Sequence, residues 1–310
     1  MLLKSKDLLG LYDKSPEEIK LILDSASTMK ELLAQNAKKM PHLQGKSIVT
    51  LFYEDSTRTR LSFELAGKYL GATVSNLGVS TSSVKKGETL LDTGKTIEAM
   101  GTDVIIIRHP LGGAPKFLAD NFSGSVINAG DGMHEHPTQA LLDMFTMREH
   151  FGRLEGLKVS IVGDIYHSRV ARSNLWGLKK MGAEVTLCGP QTLMPFAIDQ
   201  MGATVTTNLE HALRDADVVM GLRIQKERLE GAFLSTLREY HRYFGINDES
   251  LQMCEKDVMI MHPGPVNRGV ELSSSVMDSD ISVINEQVTS GVAVRMALLY
   301  LLTRRKNDDA

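Results

Sequence analysis

Short apolar runs alternate with longer segments of helical periodicity along most of the chain. We interpret as strands the runs SIVTLF, TVSNLG, DVIIIR and SVINAG in the first half, and KVSIVGD, EVTLCG, TVTTN, DVVMGL and DVMIMHP in the second. Strands that alternate with helices are typical of parallel sheets covered by helices on both faces. The pattern therefore predicts an α/β fold with roughly nine strands.

Helix signals lie between these runs. Ser15 is predicted to cap the first helix, Pro16 to open it and Glu18 to complete a capping box. Further helices are expected over PTQALLDMFTMREH and over about residues 288–306. The last of these contains VAVRMALLYLL, which carries Arg295 and is too short to span a bilayer, so we interpret it as a buried helix.

The length of 310 residues favours two domains over one. The break is predicted in the turn-rich stretch EHFGRLEGLK, residues 149–158. This boundary gives a first domain of residues 1–150 and a second of residues 151–287, with the last helix packing back on the first domain.

Composition narrows the class of ligand. The formal net charge is −3, which favours neither a nucleic acid nor an anionic membrane as partner, so any anion must be held by a local positive cluster. The N-terminal MLLKSKDLLG lacks the apolar stretch of a signal peptide. Cys188 and Cys254 form no CxxC motif, which favours a reduced, cytoplasmic setting, and Cys188 is expected to be a buried core thiol.

Polar stretches follow the predicted strands repeatedly. They are YEDSTRTR, RHP, GDGMHEHPTQ, GDIYHSR, GLRIQKER and HPGPVNRG. In open parallel sheets, ligands bind beyond the carboxyl ends of the strands. We therefore expect the functional site to be built from these stretches.

YEDSTRTR joins a strand to a helix that Ser56 or Asp55 can cap. Backbone N–H groups, hydroxyls and guanidinium groups at a helix start form a phosphate site, although a plain helix cap with surface arginines is the alternative. The side chains concerned are those of Thr57, Arg58, Thr59 and Arg60. The Walker pattern and GxGxxG are both absent, which disfavours a dinucleotide.

Three residues after neighbouring strands are candidates to bind a carbonyl group. Arg108 ends a strand, His136 stands at a helix start, and Gln139 lies one turn into that helix. A positively charged or N–H donor there can polarise a carbonyl oxygen. A surface arginine and a capping histidine are the alternatives, and His134 is a rival to His136.

The second half adds Arg169 and Arg223, each just past a strand, with Gln225 beside the latter. Two arginines in one cleft suggest a dicarboxylate, whereas each alone reads as a surface ion pair. The loop STSSVKKGET is either solvated or closes over an anion through Lys85 and Lys86. Because no activated nucleophile and no metal cluster stands out, we expect direct transfer between two bound substrates without a cofactor.

Three motifs together carry a family resemblance: STRTR after a strand, HPTQ at a helix start and a later HPGP. In this order they resemble the aspartate/ornithine carbamoyltransferase superfamily over essentially the whole chain. GDIYHSRVARSN, LRIQKER and MHPGPVNRGVE resemble the aspartate branch, and the SMG loop and HCLP of the ornithine branch are absent. The resemblance implies two doubly wound domains with the active site in the cleft between them. The implied reaction is carbamoyl transfer from carbamoyl phosphate to L-aspartate, a step of pyrimidine biosynthesis.

The resemblance also implies roles for individual residues. Carbamoyl phosphate would be bound by the first domain, through Ser56, Thr57, Arg58, Thr59, Arg108, His136 and Gln139, with the main chain at Pro263 and Gly264. Of these, Arg58, Thr59, Arg108 and His136 would stabilise the reacting groups. Aspartate would be bound in the second domain by Arg169, Arg223 and Gln225, assisted by Lys86.

Ser82 and Lys86 match loop residues that the family donates to a neighbouring subunit, so the resemblance implies a homotrimer with shared sites. A regulatory chain or a dihydroorotase partner stays open. The alternatives are a carbamoyltransferase for another amino acid, an inactive phosphate-binding relative and, remotely, a dinucleotide-dependent enzyme.

Overall fold

The computed structural model describes residues 3–35, 38–78, 87–224 and 236–308. The chain divides into two compact units. The first consists of Met1–Phe145 with Val288–Ala310, and the second of Thr146–Gln287.

Strands and helices alternate in both units. The strands are β1 Ser47–Phe52, β2 Thr73–Gly78, β3 Val104–His109, β4 Ser125–Asp131, β5 Lys158–Val162, β6 Glu184–Cys188, β7 Thr204–Thr206, β8 Val218–Gly221 and β9 Met259–Met261. The α-helices are α1 Pro16–Ala34, α2 Thr57–Tyr69, α3 Leu90–Ala99, α4 Ala114–Asp120, α5 Pro137–Phe151, α6 Arg169–Lys180, α7 Leu209–Leu213, α8 Leu237–Phe244, α9 Asp248–Leu251, α10 Ser274–Met277 and α11 Ile284–Asp308.

The first unit contains a parallel sheet in the order β2-β1-β3-β4. The chain builds outward from β1 in both directions, so the order reverses between β1 and β3. Apolar side chains of these strands, among them Leu51, Ile105 and Ile107, pack with Leu118 and Phe122 in one buried core.

The second unit repeats this plan with a parallel sheet in the order β7-β6-β5-β8-β9, which reverses between β5 and β8. Val162, Val219 and Ile260 of its strands lie in one buried cluster with Leu213 and Leu272. Ligands of doubly wound sheets bind at the carboxyl ends of the strands beside such a reversal. Each sheet therefore provides one such edge.

The predicted α/β class with parallel sheets is confirmed. Each predicted run contains an observed strand, although all five strands of the second unit, β5 to β9, are shorter than their predicted runs. The capping box of α1 is also confirmed, since Ser15 Oγ accepts from Glu18 N and Glu18 Oε2 accepts from Ser15 N. Cys188 is buried as expected, and burial raises the pKa of its thiol to about 12.

None of the helices in the described ranges is long and apolar enough to cross a membrane.

Candidate active site

Three polar loops meet at the carboxyl edge of the first sheet. They follow β1, β3 and β4, which are neighbours in the sheet. Ser56 lies in the first of these loops and His136 in the third, whereas Arg108 is the penultimate residue of β3 itself. The register pairs Phe52 with Arg108 and His109 with Asp131, so the three strands end at a similar level. This is the edge beside the reversal between β1 and β3.

Arg108 is held by the loop that follows β1. Its Nη1 donates to Ser56 Oγ at 3.3 Å, and its Nε donates to Glu54 Oε2 at 3.1 Å. The side chains of Arg108 and Glu54 are mostly buried, with 17% and 20% exposed. The two predicted residues Arg108 and Ser56 are therefore brought together, while Glu54 is a contact that the sequence analysis missed.

Ser56 occupies the N-cap position of α2, as one of the two predicted caps. Its backbone is extended, but within the described chain its side chain makes no capping hydrogen bond to the helix. Of the two predicted caps, Ser56 therefore takes the N-cap position without the capping hydrogen bond, because its Oγ accepts from Arg108 instead. The first turn of α2 keeps its positive end toward this edge of the sheet.

The remaining residues of the predicted phosphate loop differ in burial. Thr59 is buried, whereas Thr57, Arg58 and Arg60 are exposed. A helix N-terminus with hydroxyl groups and guanidinium groups in its first turn is suited to bind a phosphate. Arg108, which lies against the same loop, adds a further positive charge.

His136 and its rival His134 occupy different environments. His136 is buried directly before α5, its carbonyl oxygen accepts from Gln139 N at 3.0 Å, and its Nδ1 lies 3.5 Å from Thr138 Oγ1. His134 is exposed, and its Nδ1 lies 3.0 Å from Asp131 Oδ2. A buried ring at the sheet edge is better placed than a surface ring to polarise a carbonyl oxygen in a site that excludes water.

Gln139 is also buried and lies in the first turn of α5. Its Nε2 donates to Asp143 Oδ1 at 2.9 Å. Asp143, which is fully buried one turn further along, was not singled out from the sequence, although its spacing of four residues from Gln139 is a signal for contact on a helix.

In the second unit, the loop after β5 presents Arg169 as the first residue of α6. The loop is braced by Asp164, whose carboxylate lies 3.0 Å from His167 Nδ1 and accepts from His167 N at 3.0 Å. Ser168 caps α6 by accepting from Ala171 N at 3.1 Å. Sequence analysis missed the buried pair of Asp164 and His167, which fixes the turn immediately before Arg169.

Arg223 follows β8 and is half-buried. The next residue, Ile224, donates its N–H to Glu271 Oε1 at 2.7 Å. Burial raises the pKa of the Glu271 carboxyl, although hydrogen bonds from Ile224 and Asn267 oppose this shift. Glu271 thereby fixes the backbone at Arg223, and no motif in the sequence indicated this role.

Pro263 and Gly264 follow β9 in the same unit. Gly264 N donates to His262 Nδ1 at 2.8 Å, and His262 N donates to Gln287 Oε1 at 3.0 Å. The φ of Gly264 is +63°, a left-handed conformation that glycine adopts without strain. The strands β5, β8 and β9 are neighbours, so Arg169, Arg223 and Gly264 follow adjacent strands at one edge of this sheet.

Ser82, Lys85, Lys86 and Gln225 lie outside the described residues, so their roles stay predictions. Among the residues that are described, no group of three or more His, Cys, Asp or Glu side chains is arranged to hold a metal ion.

Both halves of the chain match known families. Residues 6–149 match the family model described as the aspartate/ornithine carbamoyltransferase, carbamoyl-P binding domain. Residues 155–302 match the model described as the aspartate/ornithine carbamoyltransferase, Asp/Orn binding domain.

Close relatives carry a more specific name. The aspartate carbamoyltransferase catalytic subunit of Acetivibrio thermocellus is 66% identical over 310 residues, which are 100% of this chain and 99% of the relative. That of Ruminiclostridium cellulolyticum is 65% identical, covering 98% of this chain and 97% of the relative.

Solved structures share the fold across both branches of the family. Aspartate transcarbamoylase from Trypanosoma cruzi in complex with carbamoyl phosphate superposes with a TM-score of 0.87 at 31% identity, covering 96% of each chain. Ornithine carbamoyltransferase from Pyrococcus furiosus also reaches 0.87 at 31% identity, covering 97% of this chain and 98% of that one. The fold alone therefore does not distinguish the two branches of the family, whereas the high-identity relatives carry names of the aspartate branch.

Proposed function

Because this chain belongs to the aspartate/ornithine carbamoyltransferase family, we propose that it transfers the carbamoyl group of carbamoyl phosphate to the α-amine of L-aspartate. The products are N-carbamoyl-L-aspartate and phosphate, in a step of pyrimidine biosynthesis. Support for aspartate as the acceptor comes from relatives of up to 66% identity that carry the name of the aspartate enzyme. The observation that carries the proposal within the molecule is the contact of Arg108 with Ser56, which joins the end of β3 to the loop that follows β1 at the sheet edge.

Carbamoyl phosphate binds, in this proposal, at the edge of the first sheet. The phosphate is bound by the start of α2, through Ser56, Thr57, Arg58 and Thr59. Backbone N–H groups and the helix dipole favour the phosphate dianion there, and the guanidinium of Arg58 stabilises the charge that grows on the leaving group.

The carbamoyl group is polarised by residues that face the same edge. Thr59, Arg108 and His136 donate to its oxygen, which becomes an oxyanion when the amine attacks. These donors are already positioned before the reaction, since Arg108 is fixed by Glu54 and Ser56 and His136 is buried at the start of α5. Donors fixed in advance lower the barrier because they need little reorganisation in the transition state.

L-Aspartate is bound by Arg169 and Arg223 of the second unit, one for each carboxylate, with Gln225 and Lys86 assisting. A guanidinium binds a carboxylate through two parallel hydrogen bonds, which gives both affinity and orientation. The turns before Arg169 and after Arg223 are fixed by Asp164 and Glu271. Two such groups select a dicarboxylate over ornithine, whose side chain is cationic.

The reaction follows from these positions. The neutral α-amine attacks the carbamoyl carbon, the tetrahedral oxyanion forms against Thr59, Arg108 and His136, and the intermediate expels phosphate. We assign the amine proton to the departing phosphate, and the carbamoyl amine to Gln139 and the main chain at Pro263 and Gly264. The active form is a homotrimer in which Ser82 and Lys86 complete the neighbouring subunit's site.

The experiment that tests this function is a colorimetric assay for carbamoylated product. The purified protein receives carbamoyl phosphate with L-aspartate or, in parallel, with L-ornithine, and no metal or nucleotide is added. Product with aspartate alone is the expected result. Product with ornithine would overturn the roles of Arg169 and Arg223, and a folded protein that gives no product would favour an inactive phosphate-binding relative.

A further inference from the structure

Asp143 is a fully buried carboxylate that the proposed chemistry does not use. It lies on α5, one turn after Gln139, and its Oδ1 accepts a hydrogen bond from Gln139 Nε2 at 2.9 Å. We propose that Asp143 is a positioning residue: it orients the Gln139 amide so that the amide oxygen accepts a hydrogen bond from the amine of the carbamoyl group. This inference rests on the proposed function.

The argument begins with the asymmetry of the amide. The glutamine side chain ends in a carbonyl oxygen that accepts and an NH₂ that donates, and the two are interchanged by a half-turn. A carboxylate only accepts, so the NH₂ of Gln139 must face Asp143. The carbonyl oxygen of Gln139 is then turned away from Asp143. With the opposite orientation two acceptors would meet in a buried place, which is costly.

The substrate requires this orientation. The carbamoyl group has one NH₂, which only donates, and an oxygen, which accepts. Arg108 and His136 are the proposed donors for that oxygen, so the amine needs an acceptor. Gln139 with its oxygen presented supplies one, whereas a flipped Gln139 would present an NH₂ to another NH₂.

A buried arginine interacts electrostatically with Asp143. Arg295 of α11 is buried, and burial lowers its pKa to about 10 while the charge of Asp143 opposes that shift. The guanidinium is held in place from α2, because Nη1 donates to Ser62 Oγ at 3.0 Å and the group lies 5.1 Å over the Phe63 ring. A positive charge in the same buried region favours the ionised carboxylate.

The backbone also makes room for this guanidinium. A Cβ at Gly291, one turn before Arg295 on α11, would lie 2.5 Å from Arg295 Nη1 and 3.2 Å from Leu142 Cδ2 of α5. The guanidinium therefore occupies the space of a missing side chain at the place where α11 approaches α5. The positive charge of Arg295 therefore lies near Leu142 of α5, the residue that directly precedes Asp143.

A purely structural role for Asp143 is the competing explanation, since a Gln–Asp pair four residues apart stabilises a helix by itself. Binding of acetyl phosphate distinguishes this structural role from the proposed positioning role. It differs from carbamoyl phosphate by a methyl group in place of the amine, so it shares the phosphate and carbonyl contacts but has nothing to donate to Gln139. A structural defect weakens the binding of both ligands alike, whereas a loss of the Gln139 orientation weakens the binding of carbamoyl phosphate alone.

The experiment compares the KM for carbamoyl phosphate with the competitive inhibition constant of acetyl phosphate in the full-length enzyme. In Asp143→Asn, the new amide can donate to the carbonyl oxygen of Gln139 as well as accept from its NH₂. The Gln139 amide is then no longer restricted to one orientation. We define the preference as the inhibition constant of acetyl phosphate divided by the KM for carbamoyl phosphate. We expect this ratio to fall about tenfold in Asp143→Asn, with the inhibition constant of acetyl phosphate nearly unchanged. In Gln139→Leu the preference is lost as well, and adding Asp143→Asn to that variant changes it no further.

Two results would overturn the proposal. One is an equal loss for both ligands in Asp143→Asn, and the other is a further loss of preference when Asp143→Asn is added to Gln139→Leu. If Asp143→Asn does not fold, because Arg295 is left without its counter-charge, the double variant Asp143→Asn with Arg295→Gln removes both charges and must show the same fall in preference. A wild-type enzyme that forms no carbamoyl product refutes the proposed function, and this outcome is distinct from an active enzyme whose preference is unaffected.

Discussion

Glu54 Oε2 accepts a hydrogen bond from Arg108 Nε at 3.1 Å, so an acidic residue of the proposed phosphate loop fixes the arginine proposed to bind the carbamoyl oxygen. Loss of this charge-assisted bond in Glu54→Gln leaves Arg108 in several orientations. We expect kcat to fall by roughly tenfold while the protein stays folded. Steady-state kinetics with both substrates provide the measurement.

Glu64→Gln is the matched control, because Glu64 lies further along α2, has a similar exposed fraction of 23% and pairs with Lys68 at 2.6 Å. The Lys68 side chain is 54% exposed, and an ion pair with an exposed lysine contributes little. An activity of Glu54→Gln equal to that of Glu64→Gln would refute the positioning of Arg108 by Glu54.

Arg58 and Arg60 provide a test within one helical turn. Both are exposed and both belong to STRTR, but only Arg58 is assigned to the leaving phosphate. Arg58→Ala is expected to lower kcat by about 10²-fold or more, since it removes charge stabilisation in the transition state. Arg60→Ala should keep activity close to wild type. Near-normal turnover in Arg58→Ala would refute the assignment of the phosphate loop.

Substitution of Arg223 is expected to weaken the binding of aspartate without weakening the binding of phosphate. We expect Arg223→Ala to raise the KM for aspartate between about tenfold and a hundredfold, the range for a lost charge-assisted hydrogen bond. The inhibition constant of inorganic phosphate should change little, because phosphate is assigned to the first unit. Arg242→Ala, on the surface of α8, is the control for loss of an arginine from the same unit. A KM for aspartate equal in both variants would contradict the assignment.

The strands and the cap of the first helix were predictable because their signals are local. Most strands are short apolar runs bounded by polar residues or glycine, and the cap of α1 lies within four consecutive residues. The position of Arg108 against Ser56 followed from the rule that parallel strands end at one edge, although the two residues are 52 positions apart. Their binding roles remain predictions.

Other features could not be read from the sequence because they depend on burial and on distant partners. Arg295 interrupts an apolar run, and nothing near it indicates that Ser62, 233 positions earlier, accepts its hydrogen bond. His134 and His136 are two residues apart in one motif, and only the fold buries one ring and exposes the other. Ser56 or Asp55 was expected to cap α2; Ser56 holds the N-cap position, but its hydroxyl accepts a hydrogen bond from Arg108 of β3 instead of from the helix.

The proposed sharing of sites in a homotrimer predicts complementation between two inactive variants. Arg58→Ala removes a residue of a subunit's own site, and Lys86→Ala removes one that is proposed to act in the neighbour's site. When the two are unfolded and refolded together, each mixed trimer contains one intact site. About a quarter of wild-type activity should then return in an equal mixture. Each variant refolded alone is the control, and a mixture no more active than its components would refute the sharing of sites.

Asp131 predicts a pH dependence of stability, because four groups surround its buried carboxylate. Gly113 N, Asn128 Nδ2 and Glu135 N donate to it at 2.8, 2.8 and 3.1 Å, and His134 Nδ1 lies 3.0 Å away. Burial raises the pKa of Asp131, but the hydrogen bonds from His134, Gly113 and Asn128 outweigh burial and bring it below the ordinary value of 3.8.

A carboxyl whose pKa is lower in the folded than in the unfolded protein stabilises the fold above the unfolded pKa. This stabilisation is lost as the pH falls through the folded value. Asp131→Asn retains one acceptor oxygen and turns an NH₂ toward other donors, so we expect a loss of about 1–3 kcal/mol at neutral pH. The apparent melting temperature should fall by several degrees at neutral pH, and its difference from wild type should shrink below pH 3.8. Asp120→Asn, at an exposed pair with Lys116, is the control and should have little effect at any pH. A difference between Asp131→Asn and wild type that stays constant through the acid range would show that the charge of Asp131 contributes nothing.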